Sequence, residues 1–124
     1  MRKLIVSARV SLDGFIAGLH GEMDWMEEFF DEALANYESE LQKSVDTTLF
    51  GRVTYQGFES YWPTVALDPA SPKGLAEYAQ QLNAMRKIVF SKTLSHVEWN
   101  NSVLLHEIMP HATKIPGMRQ RTQR

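Results

Sequence analysis

Short β-rich apolar runs alternate along this chain with longer stretches whose apolar residues recur every three or four positions. This alternation constrains the fold more than any other feature of the sequence. The first pattern predicts strands and the second predicts amphipathic helices. Strands that are separated by helices favour a largely parallel sheet covered by helices, because a parallel connection needs a long crossover. We therefore predict an α/β fold.

Four strands and three helices are predicted along the chain. Asp24, followed by Glu27, predicts the start of the first helix as a capping box, and Pro63 is expected to end the second helix because proline lacks an N–H group. The pattern fades after residue 105, so one domain over residues 1–105 is predicted, followed by an irregular or frayed tail over 106–124. The predicted strands are residues 3–10, 46–50, 87–91 and 103–105, and the predicted helices are residues 24–41, 52–63 and 75–85.

Composition excludes several classes of protein. The 124 residues, with a formal net charge of −2, suit one domain. No cysteine is present, which excludes a disulfide framework and a thiol nucleophile and fits a cytoplasmic location. Arg9 interrupts the short apolar run at the start, so neither a signal segment nor a membrane anchor is expected. Nine carboxylates against one lysine over residues 22–46 disfavour a nucleic-acid-binding face there.

The segments just after the predicted strands are the best candidates for a ligand site, because ligands of open α/β sheets bind beyond the carboxyl ends of the strands. These segments are residues 11–14, 51–54 and 91–93. Gly51 and the helix start after it predict backbone N–H donors for a phosphate, and Arg52 and Thr54 add a charge and a hydroxyl. The residues thus indicate a phosphorylated ligand. The alternative interpretation is a turn glycine, a solvated cation and a helix cap.

Other polar residues give no assignment. The four histidines lack the close spacing of a metal site, so no metal is expected. The carboxylates of the predicted first helix are interpreted as a solvated face. The chain contains no glycine-rich dinucleotide fingerprint, Walker loop or nucleophile elbow. A cofactor that brings its own chemistry would need little from the side chains beyond binding and orientation.

Five segments taken in order resemble a known family. They are KLIVSARVSLDGFIAG, GEMDW, DTTLFGRVTYQGF, SYWP and KIVFSKTL. Together they resemble the dihydrofolate-reductase-like proteins related to the reductase domain of the riboflavin-biosynthesis deaminase-reductase, over residues 1–105. The resemblance implies a three-layer dihydrofolate-reductase-like fold with a mainly parallel central sheet. It also implies an NADPH cofactor and an oxidoreductase that transfers a hydride to a small heterocyclic or carbonyl substrate.

The resemblance also implies a set of cofactor-binding residues. One group would face the nicotinamide end, a second would hold the pyrophosphate, and a third would lie at the adenosine ribose and its 2′-phosphate. A cation beside hydroxyls at that last position favours NADPH over NADH. By position, the first group is Val10, Ala17 and Trp25, the second is Gly51, Arg52, Val53 and Thr54, and the third is Ser91, Lys92 and Thr93.

The sequence departs from the family pattern at two points. Dihydrofolate reductases carry a carboxylate on the first helix that serves the pteridine; Phe30 takes that position here, which argues against folate reduction. Asp31 is the displaced candidate for a catalytic acid, and the catalytic residues are otherwise unassigned. Family members also continue beyond Pro116 and Gly117 into further strands and a Gly-Gly turn over the cofactor phosphates. The sequence lacks these last family strands, and the open sheet edge that results favours a homodimer.

Two other functions remain compatible with the sequence. One is a truncated, non-catalytic oligomerising remnant with at most residual nucleotide binding. The other is a binding module for a different phosphorylated nucleotide or a flavin. A small-molecule substrate is expected for the reductase, with no nucleic acid and no membrane as partner.

Overall fold

The structure is a computed structural model that describes residues 3–108, and the chain divides into two units. Within the described residues, the first unit comprises residues 3–30 and the second comprises residues 31–108. The tail predicted over 106–124 lies outside the described residues from position 109 onward. Among the residues that are described, no helix has the length and apolar character needed to cross a membrane.

The second unit contains a three-stranded parallel sheet and three helices. Its strands pair in the order β1-β2-β3, with Gly51 opposite Phe90 and Phe90 opposite Leu105. The α/β fold with a parallel sheet is therefore confirmed. The elements in chain order are α1 (Glu32–Lys43), β1 (Thr47–Gly51), α2 (Arg52–Leu67), α3 (Lys73–Ala84), β2 (Arg86–Phe90) and β3 (Ser102–Leu105).

The core of the second unit lies between α2, α3 and the middle of the sheet. Ile88 and Val89 of β2 are fully buried although they point to opposite faces, as expected for the central strand of a parallel sheet. On the Val89 face, six buried side chains pack together, four of them aromatic. This cluster consists of Phe50, Tyr55, Tyr78, Leu82, Val89 and Trp99.

The predicted strand over residues 3–10 is wrong. These residues form no strand, and Leu4 and Val6 are 76% and 86% exposed. A strand is stable only when its N–H and C=O groups pair with a neighbour. The apolar run has strand character in its sequence, but the sheet of the described residues consists of β1, β2 and β3 only.

The predicted helix over residues 24–41 is interrupted. A 3₁₀ helix spans Asp24–Phe29 and has no side-chain cap, and α1 begins only after Asp31. The Asp31 carboxylate accepts a hydrogen bond from the Leu34 N–H at 2.8 Å, so the helix cap is Asp31 and not Asp24. The apolar spacing does not show the break, because residues three positions apart lie on one face in a 3₁₀ helix as well as in an α-helix.

Pro63 lies inside α2 and does not end it. Proline removes one backbone hydrogen bond from a helix. Packing by the residues before and after Pro63 offsets this loss in α2. The Trp62 ring lies 4.7 Å from the Tyr78 ring, centroid to centroid, and Val65 is buried. The helix therefore continues to Leu67, four residues beyond the predicted end.

Candidate functional site

Three chain segments meet at one edge of the parallel sheet. Because β1, β2 and β3 run in the same direction, their carboxyl ends lie side by side. We define the carboxyl edge by Gly51, Ser91 and His106, which lie at or directly after the ends of the three strands. Adjacent strands are about 4.8 Å apart. The structure thus brings together two of the three predicted ligand segments, residues 51–54 and 91–93.

Residues 51–54 form the start of α2. Gly51 is the N-cap residue in extended backbone, and no side chain caps the helix. The first turn contains no acidic residue, and Arg52 adds a positive charge. Gly51, Arg52, Val53 and Thr54 are all exposed. The N-terminus of a 16-residue helix with these features attracts an anion through its N–H groups and its dipole.

Apart from Gly51 itself and its two neighbours in the chain, no heavy atom of residues 3–108 lies within 4 Å of the position that a Cβ on Gly51 would take. The space over this residue is therefore open, and a ligand can approach the backbone here. The Arg52 guanidinium makes one long contact along its own helix, from Nη1 to Gln56 Oε1 at 3.4 Å. This contact is weak, so Arg52 can reorient toward a ligand.

Residues 91–93 form a tight turn at the end of β2. The Ser91 hydroxyl oxygen accepts hydrogen bonds from the N–H groups of Thr93 and Leu94 at 3.2 and 3.1 Å. It also lies 3.4 Å from the Thr93 hydroxyl. Lys92, between them, is exposed. The turn therefore holds two hydroxyl groups and one ammonium group at the carboxyl edge.

His106 is at the same edge and was not predicted as a site residue. It follows β3 directly, and its Nδ1 lies 2.9 Å from the carbonyl oxygen of Ser91. The sequence prediction assigned residue 106 to the tail, since the apolar pattern ends at Leu105. The parallel pairing of β3 with β2 is the signal that places His106 beside Ser91.

The remaining predicted cofactor residues, Val10, Ala17 and Trp25, belong to the first unit. Val10 is exposed, Ala17 is half-buried, and Trp25 is half-buried within the 3₁₀ helix. Their contact with the nicotinamide end stays a prediction. The turn predicted at residues 11–14 is confirmed: Gly14 has a φ of 92°, and its N–H donates to the Ser11 carbonyl at 2.9 Å.

Asp31, the displaced candidate for a catalytic acid, has a clear structural contact. It caps α1, as described above, and it is exposed. Phe30, which takes the place of the family carboxylate, is half-buried with the Arg9 guanidinium 5.0 Å from its ring centroid. A catalytic role for Asp31 stays a prediction. Among the described residues, no three histidine or carboxylate side chains are grouped so that they could hold a metal ion.

A buried cation lies at the opposite end of β2 from the carboxyl edge. The Lys87 ammonium group is fully buried and donates to three backbone carbonyls, those of Asn83, Met85 and Asn100, at 3.1, 2.8 and 2.7 Å. It also lies 4.3 Å from the centroid of the Trp99 ring. Burial lowers the pKa of Lys87 from 10.5 to about 8. The residue joins the end of α3 to the loop before β3.

A comparison with protein families identifies the relationship. The model described as the RibD C-terminal domain matches residues 2–113. The chain belongs to the RibD C-terminal domain family. This confirms the resemblance and, together with the parallel sheet, the dihydrofolate-reductase-like fold class.

Two curated relatives come from Bacillus subtilis (strain 168). The chain is 29% identical to the uncharacterized protein YyaP over 106 residues, which cover 86% of this chain and 52% of YyaP. It is 44% identical to the uncharacterized protein YwjB over 55 residues, which cover 44% of this chain and 31% of YwjB. The chain thus spans about half or less of the length of these relatives. No solved structure matches the chain at a significant level.

Proposed function

We propose that this RibD C-terminal domain is an NADPH-dependent oxidoreductase that transfers a hydride to a small heterocyclic or carbonyl substrate. One observation supports this proposal most strongly. Two segments rich in hydrogen-bond donors, residues 51–54 and 91–93, lie side by side at the carboxyl edge of a parallel sheet. Family membership adds the class of reaction, since the resemblance implies reduction with NADPH.

The residues at this edge have the chemistry that a dinucleotide with an extra phosphate requires. The uncapped start of α2, the open space over Gly51 and the Arg52 guanidinium fit a pyrophosphate. The turn at residues 91–93 offers two hydroxyls and an ammonium group, which fit a ribose with a 2′-phosphate. The proposal therefore assigns NADPH, and not NADH, to this edge.

When bound, NADPH supplies the hydride itself. The role of the protein is then to bind and orient, and positioning alone can supply much of the rate enhancement. The first turn of α2 would fix the middle of the cofactor, and the turn at residues 91–93 would fix its adenosine end. Val10, Ala17 and Trp25 remain the proposed residues at the nicotinamide end. The group that protonates the reduced substrate is not assigned.

A titration with NADPH, and separately with NADH, tests the proposal. Tryptophan fluorescence and the melting temperature are followed as each nucleotide is added. We expect NADPH at about one hundred times its Kd to add roughly 2.7 kcal/mol to the free energy of unfolding, with a much smaller effect of NADH. Absence of stabilisation by both nucleotides would contradict the proposal.

Replacing Arg52 by alanine tests the position of the phosphates. We expect Arg52→Ala to weaken NADPH binding by about 1–3 kcal/mol, because a charge-assisted hydrogen bond to phosphate is lost. Lys73→Ala is the matched control, since Lys73 is also an exposed cation at the first residue of a helix, α3, and lies outside the two predicted segments 51–54 and 91–93. Equal affinities of the two variants would remove Arg52 from the binding site.

A second function, that of an oligomerising domain, is favoured by a different observation. Large apolar side chains of the first unit are exposed, among them Leu4, Val6, Leu12, Phe15 and Leu19. Exposed apolar patches of this kind mark interaction surfaces. A homodimer is accordingly proposed, either with reductase activity or in place of it. Protein-dependent oxidation of NADPH in the presence of a quinone or pterin would rule out a purely structural role.

A further inference from the structure

We infer that His106 is a specificity-determining residue of the proposed site: its Nε2 contacts the ribose phosphate held by the turn at residues 91–93. The inference rests on the proposed function and adds a residue that neither the motifs nor the family resemblance assigned. It also adds an expected consequence, a contribution of His106 to the preference for NADPH over NADH.

Pairing in the sheet fixes the position of His106. Phe90 and Leu105 are opposite each other, and the Ser91 N–H donates to the Leu105 carbonyl at 3.0 Å. The ladder thus extends to Ser91, and His106 is the next residue on the neighbouring strand. Its backbone position is set by the sheet and does not depend on a flexible loop.

The hydrogen bond to Ser91 fixes the orientation of the ring. A carbonyl oxygen only accepts, so Nδ1 of His106 must carry the proton in its 2.9 Å contact with the Ser91 carbonyl. Nε2 is then the nitrogen that remains for a ligand. A histidine whose one nitrogen donates to a backbone carbonyl presents the other nitrogen in a defined direction, as metal-binding histidines do.

The charge on the ring decides what Nε2 can do. The neutral ring has an acceptor at Nε2, whereas the protonated ring has a donor there and a positive charge. Only the protonated ring attracts a phosphate, because a phosphate oxygen accepts hydrogen bonds and carries negative charge. The side chain of His106 is exposed, so a ligand can reach it.

Charged groups among the described residues lie on several elements near this position: His96 and Glu98 are in the loop after the turn, and with Glu59 of α2 they line a cavity beside Leu94. On β2, the strand paired with β3, the charged residues are Arg86 and Lys87, at the opposite end of the strand. Lys92 in the turn is the nearby cation after β2, and Glu107 follows His106 in the chain. Arg52 follows β1, which is two strands from β3, so its backbone lies about 10 Å from that of His106. Lys92, within the turn, and His106, beside Ser91, are therefore the basic residues at this part of the carboxyl edge.

The test measures the Kd of NADPH and of NADH for the full chain and for two variants, His106→Ala and His106→Gln. We expect His106→Ala to weaken NADPH binding about tenfold and to leave NADH binding unchanged. We expect His106→Gln to weaken NADPH binding less than His106→Ala does, because the glutamine amide can still donate a hydrogen bond to a phosphate although it carries no charge.

His96→Gln is the matched control, because His96 is an exposed histidine in the loop between β2 and β3, where it contacts Ser95 and Glu98. We expect it to bind both nucleotides as the wild type does. Melting temperatures of all variants report whether the fold is retained. Unchanged NADPH affinity in His106→Ala, or equal weakening of NADPH and NADH, would overturn the inference while the proposed function stands. A wild type that binds neither nucleotide would overturn both.

Discussion

Lys87 shows how a buried charge is accommodated in this small unit. All three of its ammonium protons are donated to backbone carbonyls, one of them in the last turn of α3. These acceptors and the dipole of the helix favour the charged form. Loss of hydration on burial outweighs them, and the pKa of Lys87 falls from 10.5 to about 8. Sequence patterns gave no sign of this, since the residue lies at the start of an ordinary strand.

Stability should depend on pH through this residue. Between about pH 8 and 10.5 the unfolded chain still holds the proton that the folded chain has released, so the folded state gains stability as pH rises. We expect a gain of up to about 3 kcal/mol, relative to a Lys87→Met variant measured at the same pH values. Denaturant unfolding at pH 7, 8, 9 and 10 checks this. Subtracting the free energy of unfolding of Lys87→Met removes the contribution of the other titrating groups. A difference between the two proteins that does not change with pH would contradict the prediction.

At the scale of the element, the break before α1 is the feature that a single substitution tests most directly. Asp31→Ala removes the carboxylate that accepts the Leu34 N–H, and we expect a loss of about 0.5–2 kcal/mol in the free energy of unfolding. Asp31→Asn should retain most of the stability, because asparagine caps as well as aspartate. Asp24→Ala is the control, since Asp24 makes no capping contact at its own helix. Equal losses for Asp24→Ala and Asp31→Ala would contradict the cap.

The same three variants distinguish a capping role of Asp31 from a catalytic role. Asp31→Asn retains the cap but cannot donate a carboxylic proton. If the variant is stable and retains reductase activity, Asp31 is a structural residue only. A stable Asp31→Asn variant without activity would support the family-based prediction of a catalytic acid.

The elements that could be predicted are those decided by local pattern. The strands β1, β2 and β3 and the helix α3 follow from apolar spacing, and their alternation predicted the parallel sheet. The failures involve information that is not local. The run at residues 3–10 needs a pairing partner, and Pro63 is tolerated because of packing by residues distant in sequence. Topology placed residues 51–54 and 91–93 at one edge, whereas His106 was missed because a predicted boundary ended at Leu105.

At the scale of the whole molecule, the exposed apolar run of the first unit is the feature that most needs a partner. Leu4 and Val6 are mostly exposed and lie in a β-rich segment that forms no strand. Burial of apolar surface is worth about 25 cal/mol per Å², so covering such a segment favours association. A second copy of the chain is the partner we propose.

We therefore expect the wild type to sediment as a dimer or a larger species at micromolar concentration, and a Leu4→Ser, Val6→Ser double variant to shift toward the monomer. The control is a Tyr37→Ser, Leu67→Ser double variant, because these apolar side chains are similarly exposed on α1 and α2 of the second unit. Sedimentation velocity over a range of concentrations measures all three proteins. A monomeric wild type, or a control that dissociates as readily as the Leu4 and Val6 variant, would contradict a homodimer built on this segment. The NADPH titration is run on the same samples, so that association and cofactor binding are both measured for each variant. A variant that loses association but still binds NADPH would separate the two properties.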